Sequence, residues 1–131
     1  MNINKFTQKS LEAVQNCEKL AYEYGNQQIE QEHLLYSLLT VEDSLILKLI
    51  TKMNVQKEQF INETAQAIEK LPKVSGGQLY ISNDLNKVLI SAEDEAKAMG
   101  DEYVSVEHLF LAMLKQPSRM VKELFRSYAV T

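Results

Sequence analysis

The chain has 131 residues, a formal net charge of −4 and a pI near 5.2, with 45% hydrophobic and 24% charged residues. That is one domain's length of ordinary globular composition with enough apolar chain for a sizeable core, which excludes disorder. The acidic balance, without any Lys/Arg run, excludes the basic patch that nucleic acid or an anionic membrane surface requires.

The single cysteine, Cys17, has no intramolecular disulfide partner and fits a reducing compartment. The segment Met1–Lys5 lacks the apolar run of a signal peptide, and no apolar stretch approaches the roughly 20 residues that span a bilayer. A cytoplasmic location is expected.

Glycine and proline are scarce, so long helix-favouring segments follow one another. Thr7 is an N-cap for a first helix carrying Leu11, Val14, Cys17, Ala21 and Tyr24 at helical spacing, and Gly25 ends it. A second helix is predicted from about Gln31 to Thr40, with Leu34, Leu35, Leu38 and Leu39 inward. A third runs from about Ser44 to Met53 and a fourth from about Gln56 to Leu71, with Phe60, Ile61, Ala65 and Ile68 on one face. Pro72–Gly77 is then the one flexible stretch and reads as a linker. Beyond it Ser82 caps a helix with Leu85, Val88, Leu89, Ala92, Ala96 and Met99 in a stripe, closed by Gly100.

This restart is a repeat at an offset of 75 residues. Gly25 falls on Gly100, Thr7 on Ser82, and Glu32-His33-Leu34 on Glu107-His108-Leu109. Aligned without a gap, residues 6–55 and 81–130 share nine identities in 50, where chance gives roughly three or four. The shared order of cap, stripe, glycine and Glu-His-Leu makes the duplication convincing. The expected organisation is a single domain over 1–131: repeat one at 6–71, linker at 72–80, repeat two at 81–131. Val55 is followed by a helix and Val130 only by Thr131, so the last helix of the second copy is expected to lie in a longer chain.

Few residues invite chemistry. His33 and His108 each neighbour a glutamate, but adjacent helical residues point about 100° apart, and no His-Glu-x-x-His motif exists; both read as structural, with no metal expected. Glu32 and Glu107 lie near helix starts, where unpaired N–H groups stabilise a carboxylate; the functional reading makes them equivalent acidic docking points. Cys17 lies on an apolar stripe and reads as an inert core thiol. No phosphate-binding loop is present, since Gly76-Gly77 leads to Gln78-Leu79 without a lysine. No spacing suggests a nucleophile, base and stabiliser together, so a hydrolase or metal enzyme is the least supported class and no catalysis is expected.

Lys5-Phe6-Thr7, the segment Ile29–Leu35, Leu71-Pro72-Lys73-Val74-Ser75-Gly76-Gly77 and the segment Gly100–Leu109 resemble the N-terminal domain of Clp-type AAA+ chaperones. The linker and the Gly-Asp-Glu-Tyr-Val segment look most like the ClpB disaggregase type. The resemblance implies an all-α, pseudo-twofold bundle of two tandem four-helix repeats, the last helix of the second missing here. It implies a substrate-engaging domain on a hexameric AAA+ ring, with unfolded or aggregated proteins, that parent ring and adaptor proteins as partners, and neither nucleic acid nor membrane. ATP and magnesium are expected only in the parent's ATPase modules, and no cofactor in this chain.

By the same resemblance, Thr7, Asp101 and Glu107 are implicated in substrate handling, and Glu32 with Glu107 match glutamates that ClpC-type relatives use for basic phospho-modified groups. Some ClpB relatives present an apolar groove at positions matching Ser91, Glu95 and His108, which are polar here; this departure either removes a purely hydrophobic groove or moves it to neighbours such as Leu79 and Tyr80. The alternative implied function is adaptor docking or tag recognition in a ClpC/ClpA-type unfoldase that feeds a protease.

Overall fold

The computed structural model describes residues 3–130. Met1, Asn2 and Thr131, the outermost residues of the N-terminal segment and of the second repeat, lie outside them. Seven α-helices make up the described chain: α1 (Gln8–Glu23), α2 (Gln31–Thr40), α3 (Leu45–Lys52), α4 (Lys57–Glu69), α5 (Asn83–Ala98), α6 (Val106–Lys115) and α7 (Arg119–Ser127). Two short strands, β1 (Gln28–Ile29) and β2 (Tyr80–Ile81), pair in parallel. The chain is all-α, as its periodicity predicts.

The helix ends follow their predicted signals. Thr7 Oγ1 accepts from Ser10 N–H and Ser82 Oγ from Leu85 N–H, one orphan donor each. Gly25 and Gly100 both take φ of +73°, a conformation that strains any residue bearing a Cβ, and they end α1 and α5.

The buried face of α1 differs from the predicted stripe. Ser10, Ala13, Cys17 and Ala21 are fully inside, while Leu11 and Val14 flank them half-buried. Small residues let α1 pack close on α2, where Ser37 Oγ donates to the Ala13 carbonyl at 2.7 Å. Met99, just past the end of α5, lies outside the buried stripe and is 60% exposed.

The Pro72–Gly77 segment is exposed and irregular, yet it is tied down. Asn26 Nδ2 donates to the Pro72 carbonyl, Lys73 Nζ to the Tyr24 carbonyl, and Val74 N–H to the Gly25 carbonyl. These three bonds fasten the stretch to the turn that ends α1, so its first half is not the free linker its composition predicts.

Both halves feed one continuous core, in which Leu34, Leu38 and Ile50 join Leu85, Leu109 and Val121. The halves are stitched at α2's first turn. Gln31 is 1% exposed; its Nε2 donates to the carbonyls of Asp84 and Gln116, and its Oε1 accepts from Ser118 N–H. The second half holds three described helices, α5 to α7, against four in the first.

Candidate functional site

The pseudo-twofold generates two seams, each formed where one repeat's leading segment pairs with the other repeat's loop. In the first, Phe6 bridges Val104: Thr7 N–H donates to the Val104 carbonyl at 2.9 Å, and Val104 N–H to the Lys5 carbonyl at 2.7 Å. In the second, Ile29 pairs with Ile81, and Ser82 N–H donates to the Ile29 carbonyl at 3.0 Å. At the 75-residue offset these are one interaction made twice, with the repeats exchanged.

The first seam holds Thr7, Asp101 and Glu107. Thr7 is half-buried at the head of α1, and Val104, its backbone partner, stands three residues from each acid. The backbone pairing thus ties the segment that holds Thr7 to the stretch of chain between the two acids. Ser10, which the sequence reading missed, completes the seam: its Oγ accepts from the Thr7 hydroxyl and donates to the Val104 carbonyl at 2.6 Å.

Glu107, in the first turn of α6, and Asp101 are exposed, and Tyr103 between them is 52% exposed. Asp101 is not a free carboxylate, because one oxygen takes the His108 Nε2–H at 2.8 Å. His108 is buried at the third position of α6, and its Nδ1 accepts from Ser105 N–H at 2.9 Å. That backbone donor fixes the tautomer, so the proton sits on Nε2 and faces Asp101.

Ser105 Oγ also lies 2.9 Å from His108 Nδ1, so serine, histidine and aspartate stand in a row. This is not the relay of a hydrolase. The nitrogen facing the hydroxyl is already occupied by a backbone N–H, leaving no lone pair to take the hydroxyl's proton. The first repeat makes the same arrangement with Glu30 in place of the serine and an amide in place of the aspartate: His33 Nδ1 accepts from Glu30 N–H at 2.9 Å and its Nε2 meets Asn26 Oδ1 at 2.9 Å. Asn26 and Asp101 are themselves equivalent at the 75-residue offset, so the histidine is a repeated structural device. Burial pushes His33 down to about 4, keeping it neutral.

The second seam holds Glu32, Leu79 and Tyr80. Its carboxylate is covered, unlike those of the first, although Ile81 on its strand is exposed. Glu32 is only 5% exposed, at the edge of a cleft lined by α4, α7 and the head of α5. Desolvation pushes its carboxyl up to about 7, with the negative charges of Glu30 and Asp84 adding to the effect and a backbone hydrogen bond opposing it. Glu32 and Glu107 are thus unequal, although their sequence positions match. Leu79 is half-buried against the core, and Tyr80 is 49% exposed with its hydroxyl accepting from Gln28 Nε2 at 2.8 Å.

Ser91, Glu95 and His108 form no apolar groove. Glu95 pairs with Lys115 across α5 and α6, and His108 turns inward to Asp101. Burial drives the Cys17 thiol far above its ordinary range, consistent with an inert core residue. Among the described residues no group of three His, Cys, Asp or Glu is placed to hold a metal ion. No helix there is long and apolar enough to cross a membrane.

The family model described as the Clp repeat (R) N-terminal domain matches residues 5–128. The chain is 46% identical over 114 residues to the chaperone protein ClpB of Porphyromonas gingivalis, covering 87% of this chain and 13% of that protein. It is 37% identical over 126 residues to ClpB of Nitratidesulfovibrio vulgaris, covering 92% of this chain and 15% of that one. The chain therefore spans about one seventh of the length of these relatives. Its fold is similar to the Hsp104 N-terminal domain of Candida albicans, with a TM-score of 0.86 at 20% identity over 97% of this chain and 83% of that one. It is also similar to a ClpV N-domain solved in complex with a VipB peptide, with a TM-score of 0.78 at 20% identity over 96% of this chain and 80% of that one.

Proposed function

Since the chain belongs to the Clp repeat N-terminal domain family, we propose that it is the client-engaging domain of a ClpB-type disaggregase, folded as a single domain of a longer cytoplasmic AAA+ protein. Its role is to hold unfolded or aggregated polypeptide near a hexameric ring whose own modules bind ATP and magnesium. It carries out no catalysis itself.

The observation that carries this reading is the open first seam. Asp101 and Glu107 are exposed on either side in sequence of Val104, which pairs with Thr7, and Tyr103 between them is exposed, while the carboxylate at the matching position of the second seam, Glu32, is covered. An unfolded chain exposes basic and apolar side chains together. Two carboxylates attract the first, and an exposed aromatic ring gives the second a contact at low conformational cost. Ordering a flexible client opposes binding, so affinity is weak, on the order of micromolar to millimolar. That the similarly folded ClpV N-domain has been solved in complex with a VipB peptide is in keeping with a peptide-binding role here.

The test is NMR titration with a permanently unfolded protein. Glu107→Gln is expected to weaken capture and abolish shifts around Val104, whereas Glu58→Gln on exposed α4 leaves both unchanged. Equal binding by the two variants sinks the assignment of the first seam. Calorimetry with ATP and magnesium is expected to show no saturable heat, because the chain has no phosphate loop or lysine to hold the phosphates.

A further inference from the structure

The first repeat carries a group of side chains that the second lacks. At the end of α1, Leu20, Glu23 and Tyr24 meet Tyr36 of α2 and Glu69 of α4 around a shallow open pocket. Both aromatic rings are half-buried and so held in place, while the two carboxylates are exposed. Burial first, and then the charges of Tyr36, Glu69 and Glu23, push the Tyr24 phenol above its ordinary range, as expected of an electronegative pocket. At the 75-residue offset Leu20, Glu23, Tyr24 and Tyr36 fall on Glu95, Ala98, Met99 and Leu111. Caps, helix-ending glycines and buried histidines recur in both copies because the helical unit needs them. This set does not recur, so the unit folds without it.

A cation already sits in the pocket, supplied by the chain itself. Lys73 Nζ donates to the Tyr24 carbonyl at 3.0 Å, lies 3.7 Å from a Glu69 carboxylate oxygen and stands 5.8 Å from the centre of the Tyr24 ring. Carbonyl, carboxylate and ring face together are what recognises an ammonium group. The hold is loose: the Lys73 side chain is 53% exposed, and ion pairs and cation–π contacts that water reaches are weak. Nor does the Pro72–Gly77 segment depend on that side chain for its place. Asn26 Nδ2 on the Pro72 carbonyl and Val74 N–H on the Gly25 carbonyl fasten it on either side of Lys73. Only the lysine side chain has to swing away for the pocket to be free. We propose that this pocket binds the lysine side chain of another polypeptide, and that Lys73 is its autoinhibitory occupant, displaced without unfastening the segment that carries it. Resting on the client-engaging reading, the inference gives an unfolded chain a second anchor, built by the first repeat, where Asp101 and Glu107 belong to the second. A segment held at both gains by linkage what each weak contact lacks.

NMR titration with Nα-acetyl-lysine methylamide tests the site without any client. Lys73→Met removes the charge of the occupant and keeps its apolar stem. That variant is expected to bind the lysine derivative saturably, on the order of millimolar, with shifts at Tyr24 and Tyr36 and several-fold more tightly than the parent. Nα-acetyl-norleucine methylamide, which has no charge, is expected to shift neither. Glu69→Gln added to Lys73→Met is expected to weaken binding several-fold. No saturable shift in a folded Lys73→Met chain, equal affinity in parent and variant, or equal shifts from the uncharged derivative overturns the proposal. Amide exchange at Val74 separates occupancy from fastening. Its protection is expected to be unchanged in Lys73→Met; loss of protection makes Lys73 an anchor of the segment and overturns the autoinhibitory role. A permanently unfolded, lysine-bearing protein is then expected to bind Lys73→Met more tightly than the parent, and no gain there overturns the pocket as a client anchor. The Glu107→Gln titration reads the first seam separately, so either reading can fail alone.

Discussion

At the scale of single residues, Asp101 has a structural bond and a proposed role in client capture, and one substitution separates them. Its carboxylate faces solvent and also takes the proton of the buried His108 ring. Asp101→Ala leaves that Nε2–H unpaired, at a cost of about 1–3 kcal/mol, so lost binding in that variant is ambiguous. Asp101→Asn removes the charge and keeps an acceptor, reproducing the Asn26–His33 pair of the first repeat. It is expected to leave thermal stability within about 1 kcal/mol of the parent and still to weaken client capture; unchanged capture by a folded Asn variant removes Asp101 from the site.

Neighbouring Glu32 and His33 are shifted in opposite directions. Glu32 is raised from 4.5 to about 7, so its contribution to stability is full below pH 4.5 and lost as pH rises through 7. His33 is lowered from 6.5 to about 4, so its contribution is full above pH 6.5 and lost as pH falls through 4. Each shift corresponds to about 3 kcal/mol, and their opposite pH slopes nearly cancel over the pH range they share, so removing one exposes the other. Glu32→Gln is expected to stabilise the domain by about 1–3 kcal/mol in urea unfolding at pH 8 and to give no such gain at pH 4.5. A gain of equal size at both pH values means that burial of Glu32's charge is not its cause.

At the scale of elements, the duplication supplies its own controls. Thr7 and Ser82 cap α1 and α5 by the same hydrogen bond. Thr7→Ala and Ser82→Ala are each expected to cost about 1 kcal/mol, lowering the thermal midpoint by roughly 2–5 °C. Only Thr7→Ala is expected to weaken client capture, since only Thr7 belongs to the seam proposed to hold the client. If Ser82→Ala weakens it equally, the Thr7 effect is loss of the cap alone.

At the scale of the whole molecule, the two repeats are one cooperative unit. Their core residues interlock, and Gln31 satisfies one donor and two acceptors from the other half while almost fully buried. Gln31→Leu fills a similar volume but leaves Ser118 N–H and two carbonyls without partners, with an expected loss of about 2–4 kcal/mol. Because the core is shared, circular dichroism and tyrosine fluorescence are expected to follow a single transition in both the parent and this variant. Two separated transitions in the parent mean that the halves fold independently.

The sequence by itself determined whatever depends on local chemistry and on periodicity. The all-helical class, the ends of α1, α2 and α5, and the 75-residue duplication were all legible, because caps, left-handed glycines and apolar spacing act within a few residues. The grouping of Thr7 with Asp101 and Glu107 followed from resemblance and stays a proposal; the pairing of Phe6 with Val104 is what the structure adds. Tertiary structure decided what depends on neighbours distant in the chain. Glu32 and Glu107 occupy one repeat position, yet one is buried under α4 and α7 and the other faces solvent. Asp101 is tied to His108 through a pairing visible in sequence only once Asn26 is matched to it. Leu49 and Leu124 are the same residue at the same position, and only the helix laid over Leu124 makes one of them core and leaves the other half open. A repeat in sequence fixes which residues correspond; burial, and with it the pKa of a carboxylate or the fate of an apolar stripe, is set by what the rest of the fold lays across them.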